Sequence, residues 1–222
     1  MNLWDAYNAL LISDDVERIR KLTIRYDLYR MVEDLPGDII EAGVFKGAGF
    51  MYWLKLLAIY EPSSISRVIG FDCFSNPFSD LQGIEKKAAE CFVLEAGKDI
   101  SEVPEQLKDI SSRMMMSDRA ILVDGDVMDT ARVFVSDKPG FRCKLLHLDM
   151  DSYQATRSMI EAVYPKMVNG GIVVMDEYSL ERWGESDAVD EYVSTLFPVP
   201  QIKRIRNART PTAYFIVRKS CD

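Results

Sequence analysis

The sequence has little of what thiolate metal sites, secretion and membrane insertion require. Its cysteines, at positions 73, 91, 143 and 221, form no CxxC pair and no zinc-binding spacing, and it has a single histidine. No basic segment precedes an apolar stretch at the N-terminus, and the most apolar long segment, residues 48–60, is too short to span a bilayer. We therefore expect a cytoplasmic protein with reduced thiols.

Positive charge is also scarce. The 27 lysines and arginines are outnumbered by 35 acidic residues, which gives a net charge of −8. This balance argues against a nucleic-acid partner and against an anionic membrane partner. The sequence also lacks GxGxxG, the dinucleotide-binding fingerprint, so an NAD-binding protein is the least favoured class.

The apolar pattern alternates between strands and helices along most of the chain. We predict strands at residues 38–45, 66–74, 120–127, 144–151 and 169–178, and a closing antiparallel pair at 201–206 and 212–219. Helices are predicted at 14–35, 47–60, 102–114, 128–135, 152–167 and 186–197, and residues 75–118 are otherwise less regular. Apolar strands that alternate with helices are typical of an α/β fold whose parallel sheet is covered on both faces.

Carboxylates recur where the predicted strands end. In open parallel sheets, ligands bind beyond the carboxyl ends of the strands. A single acid there would mean little, but the repetition is the strongest functional signal in the sequence. The residues at or near these ends are Glu41, Asp72, Asp126, Asp149, Asp151, Asp176 and Glu177.

The turn after the first strand, EAGVFKGAG, contains Gly43 and Gly47, which allow the backbone to approach a ligand closely. Glu41 before them favours a ligand with a positive group or hydroxyls, although a turn that only packs fits the glycines equally well. Asp72 ends the second strand, where an acid commonly binds ribose hydroxyls. Asp126 follows the third strand, and a helix N-cap is the alternative interpretation of it.

Four of these acids follow the fourth and fifth strands: Asp149, Asp151, Asp176 and Glu177. Oxygen ligands of this kind suit Mg²⁺ or Ca²⁺ better than zinc, and a bound cation would relieve their mutual repulsion. The alternative is that Asp151 caps the next helix while Asp176 and Glu177 face solvent. His147, inside the fourth strand, is interpreted as a core histidine.

Six segments resemble the macrocin-type sugar O-methyltransferases, a metal-dependent branch of the class I S-adenosylmethionine (SAM) methyltransferases. They are GDIIEAGVFKGAG, FDCF, GDVMDT, LDMDSYQAT, YPKMVNGGIVVMDEY and WGESDAVDEY, between about Gly37 and Tyr192. The resemblance implies a Rossmann-like fold, with helices on both faces of a seven-stranded, mostly parallel sheet whose last strand is antiparallel. Residues 1–36 would be a helical segment for lid and oligomer contacts, and residues 37–222 the methyltransferase domain.

The resemblance also implies a role for each matching residue. SAM would be bound by Glu41, Ala42, Gly43, Gly47, Asp72, Cys73, Phe74, Gly125, Asp126 and Asp149. Asp149, Asp176 and Glu177 would hold Mg²⁺, and Asp151 would be the general base. Glu177 departs from the second aspartate usual in the family. Glu185, Ser186 and Asp187 stand where the family tends to have basic residues.

The expected function is therefore SAM- and Mg²⁺-dependent methylation of a hydroxyl on a sugar or glycosylated small molecule, in natural-product biosynthesis. A homodimer or higher homo-oligomer is expected. Two alternatives remain: a catechol or phenol O-methyltransferase, and a SAM-binding module without catalysis.

Overall fold

One mixed sheet organises the computed structural model, which describes residues 2–74, 81–96, 100–206 and 209–219. Its strands are β1 (Asp38–Ala42), β2 (Val68–Asp72), β3 (Ala120–Asp124), β4 (Cys143–Leu148), β5 (Met167–Met175), β6 (Lys203–Arg204) and β7 (Ala213–Ile216). They lie in the order β3-β2-β1-β4-β5-β7-β6. Strands β1 to β5 are parallel, and β7 runs antiparallel to both β5 and β6. The predicted seven-stranded sheet with an antiparallel edge is confirmed.

Helices cover both faces of the sheet. One face packs Ile39, Leu145 and Ile172 against α2, α3 and α5, and the other packs Ile40 and Leu146 against α6, α7 and α8. None of the described helices has the length and apolar character needed to cross a membrane. The helices are α1 (Leu3–Leu11), α2 (Val16–Arg30), α3 (Ala48–Tyr60), α4 (Gly83–Ala96), α5 (Val103–Arg113), α6 (Val127–Ser136), α7 (Tyr153–Val163) and α8 (Glu185–Val193).

Several strands end sooner than predicted, because the chain turns sharply before each following helix. Strand β1 stops at Ala42, where Gly43 takes a φ of +95°, and β3 stops before Gly125, with a φ of +126°. These are left-handed conformations that favour glycine. Helix α4 was not predicted, since it lies in the segment interpreted as less regular. Residues 75–80 and 97–99 of that segment lie outside the described residues.

The backbone ladder continues past the strands and fixes where the acids begin. The N–H of Asp149 donates to the carbonyl of Ala42 at 2.8 Å, and the N–H of Asp176 donates to that of Leu148 at 2.9 Å. In register, Glu41 lies beside His147. Because side chains alternate along a strand, Glu41 and His147 both point to the face covered by α2 and α3.

A buried ion pair between β4 and the residue after α3, together with a hydrogen bond from α2, ties these elements together at the start of β4. The Nζ of Lys144 lies 2.6 Å from Oε1 of Glu61, which also accepts a hydrogen bond from the hydroxyl of Tyr29 at 2.7 Å. Removing one partner of such a pair costs about 3–5 kcal/mol, because a charge is left buried without compensation. This contact and the packing of Ile24 and Leu28 hold α2 against the sheet.

Gly43→Ala tests the close approach of β1 and β4. A Cβ at position 43 would lie 1.7 Å from the carbonyl oxygen of Asp149, and the residue would keep a positive φ. We expect a loss of about 2–4 kcal/mol in the free energy of unfolding, measured by urea denaturation.

Two other glycine-to-alanine variants distinguish the effect of backbone strain from that of the steric clash. Gly83→Ala has a positive φ but no atom within 4 Å, so it reports backbone strain alone, about 1 kcal/mol. Gly140→Ala has open space and no positive φ, and it should be neutral. Equal stability of the Gly43 and Gly140 variants would contradict the close approach.

Candidate active site

Six carboxyl groups of the described residues gather at the carboxyl edge of the sheet. Glu41 is the penultimate residue of β1, two acids follow β4, two follow β5, and one begins α8. The group, called the acid cluster below, consists of Glu41, Asp149, Asp151, Asp176, Glu177 and Glu185. Five of the six are sequence-predicted site residues, and the structure brings them together.

His147 joins two of these acids from within β4. It is fully buried, with Nε2 at 3.1 Å from Oδ1 of Asp176 and Nδ1 at 3.5 Å from Oε1 of Glu41. Burial alone would lower the pKa of His147, but the two carboxylates outweigh it and raise the pKa to about 9. Burial would raise the pKa of Asp176, yet the contact with His147 and the charges of Lys21 and Arg25 lower it to about 2. An imidazolium thus neutralises part of the acid cluster.

Helix α2 supplies two more cations that the sequence interpretation missed. The Nζ of Lys21 lies 3.8 Å from Oδ2 of Asp176. A guanidinium nitrogen of Arg25 lies 3.8 Å from Oε1 of Glu41 and 4.0 Å from Oδ2 of Asp149. The available signal was helical spacing, because positions 21 and 25 continue the stripe that holds the buried Leu28 and Val32.

Asp151 combines partial burial, backbone strain and nearby negative charge. Its φ is +58°, a left-handed conformation that costs a non-glycine residue about 1 kcal/mol or more and is found at functional sites. Burial, then the charges of Asp149, Glu177 and Asp176, raise its pKa well above the usual value. The alternative in which Asp151 caps α7 is wrong, because the N-cap is Ser152, whose hydroxyl accepts from the N–H of Ala155.

Glu185 is the sixth acid, and it was not predicted as a site residue. It is fully buried, and its Oε1 accepts a hydrogen bond from the N–H of Glu177 at 2.8 Å. Its Oε2 has no hydrogen-bond partner among the described residues. Burial, then the charge of Asp176, raises its pKa well above the usual value. Burial also raises the pKa of Glu177, to about 7.

Two of the three predicted metal ligands, Asp149 and Asp176, offer atoms that lie close together. Within the described part of the chain, His147, Asp149 and Asp176 each offer a ligand atom within 4.8 Å of the others, and Glu177 is outside this set. His147 already faces Asp176, so the oxygens of Asp149 and Asp176 are the available donors. These oxygens and the raised pKa of Asp149, to about 7 through burial and the charge of Asp176, fit a hard divalent cation.

Two of the residues predicted to bind the cofactor, Glu41 and Asp72, lie around the turn after β1. Buried Oε2 of Glu41 has no hydrogen-bond partner among the described residues, so it can accept from a ligand's ammonium group. Oδ2 of Asp72 accepts from the N–H groups of Val44 at 2.8 Å and Phe45 at 2.6 Å. Asp72 thus orders the turn, and its role toward ribose stays a prediction.

The remaining predicted cofactor residues line the ends of β2 and β3. The N–H of Gly125 donates to the carbonyl of Asp72 at 3.0 Å, and the N–H of Phe74 donates to Oδ1 of Asp124 at 3.2 Å. Asp126 is the N-cap of α6, where its Oδ1 accepts from the N–H of Met128 at 2.8 Å. The alternative interpretation of Asp126 as a helix N-cap is therefore correct. Cys73, a half-buried free thiol, follows directly after β2.

Known proteins are similar to this chain in sequence and in fold. The chain is 24% identical over 184 residues to the 8-demethyl-8-(2,3-dimethoxy-alpha-L-rhamnosyl)-tetracenomycin-C 4'-O-methyltransferase of Streptomyces olivaceus, covering 74% of this chain and 66% of the relative. It is 24% identical over 170 residues to the mycinamicin III 3''-O-methyltransferase of Micromonospora griseorubida, covering 72% and 61% respectively. The chain thus spans less than two thirds of the length of either relative.

The crystal structure of CalS11, a calicheamicin methyltransferase, superposes with a TM-score of 0.83 at 26% identity, over 97% of this chain and 86% of that one. The fold is the class I Rossmann-like methyltransferase fold. The family described as macrocin-O-methyltransferase (TylF) matches residues 16–196, which include every residue of the acid cluster. The chain belongs to the macrocin O-methyltransferase family.

Proposed function

We propose that the protein is a SAM- and Mg²⁺-dependent O-methyltransferase that acts on a hydroxyl of a sugar or glycosylated small molecule. The observation that carries the proposal is the acid cluster, in which half-buried Asp151 stands beside Asp149 and Asp176. Membership of the family supports the reaction class. One relative is named for methylation of a rhamnosyl-tetracenomycin and another for methylation of mycinamicin III, which supports a glycosylated natural product as the acceptor.

The cofactor part of the proposal rests on Glu41 and the turn after β1. Oε2 of Glu41 would accept from the ammonium of the methionine part, since it is buried and otherwise unpartnered. Asp72 holds the turn in shape through Val44 and Phe45. SAM would supply an already activated methyl group, so the work left to the chain is alignment of the acceptor oxygen with that group.

Asp151 would accept the proton of the acceptor hydroxyl. A neutral hydroxyl is a weak nucleophile, and a carboxylate with a raised pKa accepts its proton more readily than an ordinary aspartate. Asp149 and Asp176 would hold Mg²⁺, with Glu177 as the third ligand that the family resemblance implies. The charge of the cation would stabilise the negative charge developing on the acceptor oxygen. Glu185 fixes the backbone of Glu177 and so places that side chain.

The N-terminal segment is proposed to serve as lid and oligomer contact. Helix α2 already covers the acid cluster with Lys21 and Arg25. Helix α1 buries none of its residues, and Leu3 and Trp4 are 85% and 72% exposed. We propose that α1 contributes to a homo-oligomer.

The free thiols of Cys73 and Cys143 fit a reducing compartment, and we propose the cytoplasm.

Asp151→Asn tests the base. Asparagine also tolerates the left-handed backbone, so the fold and SAM binding should persist. We expect methyl transfer to fall by at least about 100-fold, measured with labelled SAM, while calorimetry shows unchanged SAM affinity.

The matched control is Asp187→Asn, which removes the same charge from an exposed position on α8. It should transfer methyl groups normally. A wild-type rate in Asp151→Asn would remove Asp151 from the role of base.

Chelation tests the metal. Excess EDTA should abolish methyl transfer and leave SAM bound, because Glu41 and the turn after β1 do not need the cation. Added Mg²⁺ should restore the rate. Unchanged turnover in excess EDTA would contradict the metal part of the proposal and leave the SAM part standing.

A screen of hydroxylated acceptors with labelled SAM tests the acceptor class. We expect transfer to hydroxyls of nucleotide-linked or natural-product-linked sugars and none to catechol. Transfer to catechol alone would favour the phenol alternative. SAM binding without transfer to any acceptor, with Mg²⁺ present, would favour the non-catalytic alternative.

A further inference from the structure

The two cations that α2 places over the acid cluster differ in how firmly they are held. Arg25 contacts both Glu41 and Asp149, and its side chain is 9% exposed. Lys21, one helical turn away, is 41% exposed, and Asp176 is its one ion-pair partner among the described residues. Arg25 is fixed by two carboxylates in a buried position, whereas the Lys21 ammonium has access to water and a flexible stem.

One oxygen of Asp176 is already engaged within the sheet. Its Oδ1 lies 3.1 Å from Nε2 of His147. Its Oδ2 faces Nζ of Lys21, at 3.8 Å. A cation that binds Asp176 through Oδ2, the oxygen that His147 leaves free, would meet the ammonium of Lys21 there.

We propose that Lys21 is a displaceable internal counter-cation that competes with the divalent metal for Oδ2 of Asp176. The inference rests on the metal site of the proposed function. When a metal binds, the ammonium of Lys21 moves away from Asp176, while Arg25 keeps its contacts with Glu41 and Asp149. The side chain of Lys21 thereby lowers the metal affinity of this chain and protects the acid cluster from its own repulsion in the absence of metal.

Titration with Mn²⁺ alone, followed by calorimetry and electron paramagnetic resonance, measures the competition without requiring catalysis. Lys21→Gln removes the ammonium and keeps a good helix former. We expect its dissociation constant for Mn²⁺ to be about tenfold lower than that of the wild type.

Arg20→Gln is the matched control. It removes one positive charge from the same turn of α2, but Arg20 pairs with Glu17 instead of the acid cluster. If removal of charge acted only through the general field, both variants would bind Mn²⁺ more tightly to a similar degree, and the proposal would be overturned. Unchanged or weaker binding in Lys21→Gln would overturn it too.

A second measurement uses the unaltered protein. Acetic anhydride labels exposed lysines, and mass spectrometry reports the rate at each one. Mg²⁺ should speed the labelling of Lys21, because its ammonium leaves Asp176, and should leave exposed Lys55 unchanged. A rate at Lys21 that does not respond to saturating Mg²⁺ would contradict displacement.

The outcomes separate the two proposals. Mn²⁺ binding to the wild type with no tightening in Lys21→Gln refutes the competition and leaves the metal site standing. Absence of Mn²⁺ binding in both proteins refutes the metal site and the competition with it.

Discussion

Repulsion among closely placed carboxylates is the constraint on which this structure depends. Six acids converge at one edge of the sheet, and several are buried where water screens charge poorly. Among the described residues, three positive groups from two elements lie within 4.0 Å of these acids: His147 in β4, and Lys21 and Arg25 in α2. The balance remains acidic, which suits the site to a divalent cation. Burial and this remaining negative charge raise the pKa of Asp151.

The position of α2 follows from contacts far from the site. The Lys144–Glu61 pair and the Tyr29 hydroxyl anchor the helix at the other end of β4, and Leu28 packs in the core between them and the acids. Because a helix is stiff, α2 then holds Lys21 near Asp176 and Arg25 near Asp149. The buried ion pair at the base of the sheet thereby contributes to the electrostatics of the site.

The sheet topology makes the site by bringing distant segments to one edge. Gly43 permits the carbonyl of Asp149 to lie where a side chain would otherwise stand, so the turns after β1 and β4 come into contact. The same closeness places Glu41, proposed to bind the cofactor, beside the acids proposed to hold the metal. The strain at Asp151 belongs to the same arrangement, since the chain must bend there to begin α7.

Periodicity by itself determined the alternation of the parallel strands with most of the helices, the antiparallel edge and the carboxylates at the strand ends, because these are local patterns of apolar and polar residues. Family resemblance added the roles predicted for individual residues. Only the tertiary structure decided that His147 pairs with Asp176, that Asp126 caps α6, and that Lys21, Arg25 and Glu185 belong to the site. Ion pairs between segments that lie far apart in the chain leave no periodic trace, so their partners emerge only when the sheet brings those segments together.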